Sequence, residues 1–90
     1  MSLILTWNAN PEPDVTGYNV YRSLGTGPMT LLASVPTPGY TDNAVPNTTE
    51  NVGYAVTAVD KAGLESVKSV TVTKAVTAIP PTAPTGLAVQ

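Results

Sequence analysis

The sequence contains no cysteine and no histidine. Disulfide bonds are therefore excluded, and the side chains that most often act as bases, nucleophiles and zinc ligands are missing. Charged residues make up 11% of the chain, against a usual share of about 25%. The net charge is −2, and the four basic residues are scattered. We therefore expect no enzyme activity, no cofactor or metal, and no binding to nucleic acid, which needs clustered lysine and arginine.

Long apolar runs are also missing. No stretch approaches the roughly 20 residues that cross a bilayer, so we expect no membrane association. The first five residues are too short, and lack the basic flank, to be a signal peptide. If the protein is secreted, we expect its signal to lie outside this chain. Ninety residues predict one domain with a single modest core.

Six carboxylates are the remaining candidates for acid–base chemistry or for calcium binding. Glu12 and Asp14 share a polar loop, and Asp60 and Glu65 flank a turn. A glycosidase needs one carboxyl with a raised pKa in a cleft, and a calcium loop needs regularly spaced ligands. Neither pattern is present, so these charges are interpreted as solvated loop residues.

Most of the sequence consists of short apolar, strand-like segments separated by turns that contain proline and glycine. In residues 53–63, Tyr54, Val56 and Ala58 alternate with other β-favouring residues, which predicts a central strand followed by a tight turn. Further strands are predicted at residues 3–7, 17–23, 29–35, 40–42 and 66–73. Aligned apolar faces are predicted for Leu31, Ala33 and Val35 and for Val70 and Val72. No stretch fits a helix, so the pattern predicts an all-β antiparallel sandwich.

Two aromatic residues are candidates for surface contacts. Trp7 is in phase with Leu3 and Leu5, which favours a core position over a platform for stacking sugars. Tyr21 alternates with the core-facing Val20, so it is predicted to point away from the core.

Four motifs occur in a fixed order along the chain: Leu5-Thr6-Trp7, Gly17-Tyr18-Asn19-Val20-Tyr21-Arg22, Tyr40-Thr41-Asp42, and a run from Tyr54 to Ser66. Together they resemble a fibronectin type III domain of the bacterial type, which implies an immunoglobulin-like antiparallel β-sandwich. The corner tyrosine of that family falls at Val52 here. Its contact with the preceding loop is expected to be missing, unless Tyr54 supplies a substitute.

The order of the strands departs from the family. A segment resembling the first strand, A, lies at the C-terminus, so the order is B-C-C′-E-F-G and then A. The resemblance therefore divides the chain into a sandwich lacking its first strand (residues 1–73), a proline-rich linker (74–82) and a strand-A-like segment (83–90).

Strand B is then expected to have an unpaired edge, which favours pairing with another strand. The residues predicted to pair are Pro84, Leu87 and Val89 in the tail and Leu3 and Leu5 in strand B. The tail could complete a neighbouring copy by strand exchange, fold back onto its own domain as a circular permutant, or hang loose. Exchange is favoured because the linker reaches at most about 30 Å, roughly the height of the sandwich it would have to cross.

The resemblance implies a structural spacer within a longer extracellular, cell-surface or phage-particle protein, with other copies or neighbouring domains as partners. The alternative is a module that binds protein or carbohydrate through its loops. The residues predicted for such contacts are Glu12, Asp14, Tyr21 and Lys61.

Overall fold

A computed structural model describes residues 2–46, 50–76, 80, 83 and 85–89, and within these residues the regular structure consists of strands without a helix. The strands are β1 (Leu3–Thr6), β2 (Val15–Leu24), β3 (Thr30–Val35), β4 (Gly39–Asp42), β5 (Asn51–Asp60) and β6 (Val72–Ala75). The predicted all-β class is confirmed, and the long central strand is β5.

The strands form two antiparallel sheets. One contains β1 and β4, and the other has the order β3-β2-β5-β6. In the larger sheet β5 pairs along its whole length with β2, from Val15 opposite Asp60 to Leu24 opposite Val52. Its other edge pairs with β6, and side chains on both of its faces, such as Tyr54 and Ala55, are buried, in agreement with its apolar or β-favouring sequence.

The core lies between the sheets. Val20 and Val52 are completely buried, and Val45, Tyr54 and Val76 are nearly so. Leu3, Leu5 and Leu32 are half-buried and pack against this cluster. With no phenylalanine and one tryptophan in the chain, the core consists mainly of small branched side chains.

Strand β3 departs from the predicted alternation. A register shift lies opposite Val20 and Tyr21, so that Val20 pairs with Ala33 but Tyr21 pairs with Leu31. The extra residue, Leu32, packs on the core, whereas Leu31 is 60% exposed. A bulge of this kind places two successive residues opposite one and reverses the phase beyond it. The prediction that Leu31 shares a face with Ala33 and Val35 was therefore wrong.

The last strand begins and ends later than predicted. Regular pairing with β5 starts at Val72 and extends to Ala75, and Val76 is buried. Residues 74–76 thus belong to the sandwich rather than to the linker. Before β6, Ser66 and Ser69 each donate a backbone N–H to β5 and accept a β5 N–H on Oγ, from Ala58 and Val56 respectively. Their hydroxyls replace the carbonyl acceptors of a regular ladder.

The strand registers show which residues lie at each end of the sandwich. β1 runs from Leu3, which pairs with Asp42 near Tyr54, toward Trp7, which packs against Tyr18 opposite Ala58. β6 runs the other way along β5, from Val72 opposite Tyr54 to Ala75 opposite Asn51. β6 therefore terminates at the end where β1 begins, here called the Leu3 end. Trp7 marks the opposite end, the Trp7 end.

Candidate functional site

An open groove runs between β1 of one sheet and β5 and β6 of the other. Its volume is about 560 Å³. The lining residues are Leu3, Ile4, Leu5, Thr6, Trp7, Tyr54, Ala55, Val56, Ser69, Val70, Val72, Thr73 and Lys74. Most of these side chains are apolar, so the groove can accept an apolar segment but offers no set of polar groups that would hold a small polar ligand.

Apolar side chains in and beside the groove are unusually exposed. Val70 is 87% exposed, Val72 67% and Ile4 79%. Val70 and Val72, predicted to lie on one face of a strand, both line the groove rather than the core. In the described part of the chain, β1 pairs with β4 along one edge only, so its other edge, beside the groove, has free backbone groups.

The indole of Trp7 lies at one end of the groove. Its ring packs edge-on against Tyr18, with the centroids 5.5 Å apart, and it also lines a second cavity of about 200 Å³. Nε1 of Trp7 is buried and has no hydrogen-bond partner among the described residues. A buried N–H that lacks an acceptor costs about 1–3 kcal/mol. Trp7 lines both the groove and the second cavity, so this donor lies where the two meet.

The residues predicted for strand pairing lie in two separate places. Leu3 and Leu5 line the groove as half-buried side chains. Leu87 and Val89 are each 97% exposed, so neither side chain is packed in the groove of its own chain. Pro84 lies outside the described residues.

Three of the four residues predicted for loop contacts lie at the Trp7 end. The backbone N–H of Lys61 donates to the carbonyl oxygen of Asp14 at 3.0 Å, and the carbonyl oxygen of Glu12 accepts from Val15. This contact joins the loop before β2 to the turn after β5. Tyr21 is not part of that group, because it lies on the outer face of the larger sheet.

A polar cluster surrounds Tyr21. Its hydroxyl donates to Oε2 of Glu65, which also accepts from Thr57 Oγ1 and, at 3.2 Å, from Asn19 Nδ2. Lys68 Nζ lies 4.5 Å from the centre of the Tyr21 ring. Hydrogen bonds from Thr57, Tyr21 and Asn19 hold the pKa of Glu65 below its usual range, and the bond to Glu65 raises the pKa of Tyr21. Sequence reasoning placed Tyr21 correctly off the core but missed its partner Glu65.

Sequence reasoning also missed a buried ionic contact that joins the two sheets. Asp42 is fully buried, and its Oδ2 accepts from Tyr54 at 2.6 Å and from Arg22 Nη1 at 3.0 Å. Oδ1 accepts the backbone N–H of Ala44 at 3.0 Å. One signal was available: Arg22 is in phase with the core-facing Tyr18 and Val20, which calls for a buried acceptor.

This ionic contact also bears on the expected loss of the corner tyrosine. The hydroxyl of Tyr54 does tie β5 to another part of the sandwich, but the acceptor is the carboxylate at the end of β4. Burial opposes ionisation of Asp42, yet the hydrogen bonds from Tyr54, Ala44 and Arg22 outweigh it, so the pKa of Asp42 is lowered. Burial and the bond to Asp42 raise the pKa of Tyr54.

The lowered pKa of Asp42 predicts how stability depends on pH. Because the folded-state pKa lies below the unfolded value, this contribution is complete above about pH 5 and is lost as pH falls through the unfolded and then the folded pKa. We expect the free energy of unfolding, measured in urea, to decrease between pH 5 and pH 2. Asp42→Asn should show a smaller decrease over the same interval, since the remaining decrease would come from other carboxyls such as Glu65. An equal decrease in both proteins would contradict the assignment to Asp42.

The described residues contain no group of three or more acidic side chains that could hold a metal ion. Nor do they contain a helix long and apolar enough to cross a membrane.

Comparison with solved structures decides the family. The chain matches the crystal structure of an Fn3-like protein from Clostridium thermocellum with a TM-score of 0.66 and 36% sequence identity. The match covers 80% of this chain and 73% of that protein. The chain belongs to the fibronectin type III (Fn3-like) family. A scan against models of protein families gave no match, and neither did a search of curated proteins.

The resemblance based on the four sequence motifs is thus confirmed, as is the immunoglobulin-like sandwich. The chain is a β-sandwich module, and its fold is typically non-catalytic. In this Fn3 domain the most distinctive feature is the open groove beside β1.

Proposed function

We propose that this Fn3 domain is a non-catalytic structural spacer that associates with itself by strand exchange. In the exchange, the C-terminal segment of one copy lies in the groove of a second copy, beside β1. The observation that carries the proposal is the coexistence in one chain of an open apolar groove and an exposed apolar segment. Leu87 and Val89 are spaced by two, as Leu3 and Leu5 are, so each pair presents one face of an extended strand.

The burial of these two side chains supplies the driving force. Fully burying a leucine or valine is worth about 1.5–3 kcal/mol, and both tail residues are almost completely exposed in the single chain. The exposed Val70 and Val72 would be covered in the same step. The free edge of β1 would gain backbone partners as well.

The path of the linker favours a second copy over the same chain. Every strand pair in the described part is antiparallel, and a strand antiparallel to β1 begins at the Trp7 end. The chain leaves β6 at the Leu3 end, so its own tail would have to travel the length of the sandwich and then reverse. A linker containing Pro80 and Pro81 is stiff and resists such a reversal.

The proposed setting is extracellular, on a cell surface or in a phage particle, where the module would connect other domains of a longer chain. The low charge and the strands rich in threonine and valine support a spacer role rather than recognition of a partner through a charged surface.

The test is the solution mass of the 90-residue chain over a range of concentrations, compared with a variant carrying Leu87→Asp and Val89→Asp. We expect the unchanged chain to form species larger than a monomer and the variant to associate at least about 100-fold more weakly, since about 3 kcal/mol of burial is lost. Leu31→Asp is the matched control, because Leu31 is an exposed leucine on the far edge of the other sheet. It should associate as the unchanged chain does.

Two results would overturn the proposal. If the unchanged chain is monomeric but the tail variant is less stable, the segment folds back on its own domain. If neither mass nor stability changes, the tail makes no contact of consequence.

A further inference from the structure

We infer that Thr85 supplies the acceptor that the buried indole N–H of Trp7 lacks, and that this contact sets the direction and register of the exchanged strand. The inference rests on the proposed strand exchange and adds to it the residue that specifies alignment. Its starting point is that Nε1 of Trp7 is buried with no partner in the described part of the chain, and that Trp7 lies at the end of a mostly apolar groove.

The spacing of the tail places Thr85 in phase with the apolar pair. Thr85, Leu87 and Val89 follow one another at intervals of two, so in an extended strand all three face the same side. Three inward-facing residues of β1 and its continuation have the same spacing: Leu3, Leu5 and Trp7. The two sets can therefore be matched side chain by side chain.

Two directions are possible, and they differ in how the polar groups are satisfied. In the antiparallel direction Val89 lies opposite Leu3, Leu87 opposite Leu5, and Thr85 opposite Trp7. The threonine hydroxyl can then accept the indole N–H, so both buried polar groups are paired. In the parallel direction Thr85 lies opposite Leu3, at the other end of the groove from the indole, so the indole stays unpaired. The antiparallel register is therefore favoured.

Gly86 allows the segment to become extended. In the single chain Gly86 has a φ of 79°, which turns the backbone between Thr85 and Leu87. Glycine adopts positive and negative φ with similar ease. The rotation needed to bring Thr85 and Leu87 onto one face therefore costs little energy.

The experiment places the groove and the tail segment on separate molecules. The 90-residue chain carrying Leu87→Asp and Val89→Asp keeps its groove but cannot donate its tail, and it is titrated with a synthetic peptide of residues 80–90. Three peptides are compared: the natural one, one with Thr85→Val and one with Thr85→Ser. The valine peptide keeps the shape of threonine without the hydroxyl, and the serine peptide keeps the hydroxyl.

We expect the valine peptide to bind about 3- to 10-fold more weakly than the natural one, and the serine peptide to bind within roughly twofold of it. The second readout is the indole N–H resonance, of which the chain has one because it has one tryptophan. Its exchange with solvent should slow with the natural and serine peptides and stay faster with the valine peptide.

The possible failures are distinguishable. If all three peptides bind equally and affect the indole N–H equally, Thr85 is not the acceptor, whereas strand exchange stands. If no peptide binds to the groove, strand exchange fails and this inference fails with it.

Discussion

Asp42→Ala is expected to lower the free energy of unfolding by about 3–5 kcal/mol, the usual cost of removing one partner of a buried ion pair. Arg22, whose side chain is only 20% exposed, would lose its carboxylate. The hydroxyl of Tyr54 and the backbone N–H of Ala44 would lose their acceptors as well. Since the free energy of unfolding of a small domain is only about 5–15 kcal/mol, this one substitution would remove a large part of it.

Urea unfolding at pH 7 measures the effect, with two comparison variants. Tyr54→Phe removes one hydrogen bond to Asp42 and should cost about 1–2 kcal/mol. Asp14→Ala, which changes an exposed loop carboxylate, should stay within about 0.5 kcal/mol of the unchanged protein. The double variant of Asp42→Ala and Tyr54→Phe should be less destabilised than the sum of the two, because both remove the same contact. A cost below about 1 kcal/mol for Asp42→Ala would show that the ion pair does not hold the sheets together.

A mixture of two association-deficient chains is expected to recover association as a one-to-one pair. The first chain carries Leu87→Asp and Val89→Asp and keeps an intact groove. The second carries Val70→Asp and Val72→Asp, which place charges in the groove and leave the tail unchanged. Both valines are largely exposed in the single chain, so their replacement should not unfold the monomer.

Each variant alone should be monomeric, because each lacks one half of the exchange. Together, the tail of the second chain can enter the groove of the first, and the pair cannot grow further. Light scattering at a constant total concentration should show the highest mass at equal proportions. Leu64→Asp serves as a matched control for the groove variant, because Leu64 is 68% exposed but does not line the groove. A mixture that stays monomeric would contradict strand exchange, as would groove variants that still associate alone.

The sequence predicted the strands because their patterns are local. β5 and β2 show both the two-residue period and the flanking turns, and the structure extends each of them by only a few residues. The turn after β5 followed from its composition, and Gly63 adopts a φ of 80° there. Local alternation and turn chemistry are sufficient for features of this kind.

The errors arose where the outcome depends on partners distant in sequence. The bulge that turns Leu32 inward is set by pairing with β2, and a single skipped residue leaves no trace in an alternating sequence. The delayed start of β6 depends on two serine hydroxyls that replace carbonyl acceptors. Asp42 was placed at a strand end by the motif, but its burial depends on Arg22 and Tyr54 from the opposite sheet.

The groove itself was anticipated only in part. The motif order indicated that the edge of β1 would be unpaired, and the structure places a groove there. The pattern predicted that Val70 and Val72 share a face, but it could not show that this face lines an open groove, because that depends on the position of β1. The sequence also could not show that the indole N–H of Trp7 has no acceptor among the residues that the structure describes, because this depends on the surroundings of the ring.

The separation of groove and tail within one chain makes the two sides of the proposed contact unlike each other. Such a contact gives a symmetrical pair only if both tails cross at once. Otherwise it is head-to-tail, and it closes into a ring or propagates in one direction as a filament. The two ends of a growing filament would then differ, with an unoccupied groove at one end and an unpaired tail at the other. Capping either extremity with a defective copy would stop elongation there and leave the opposite extremity free to extend.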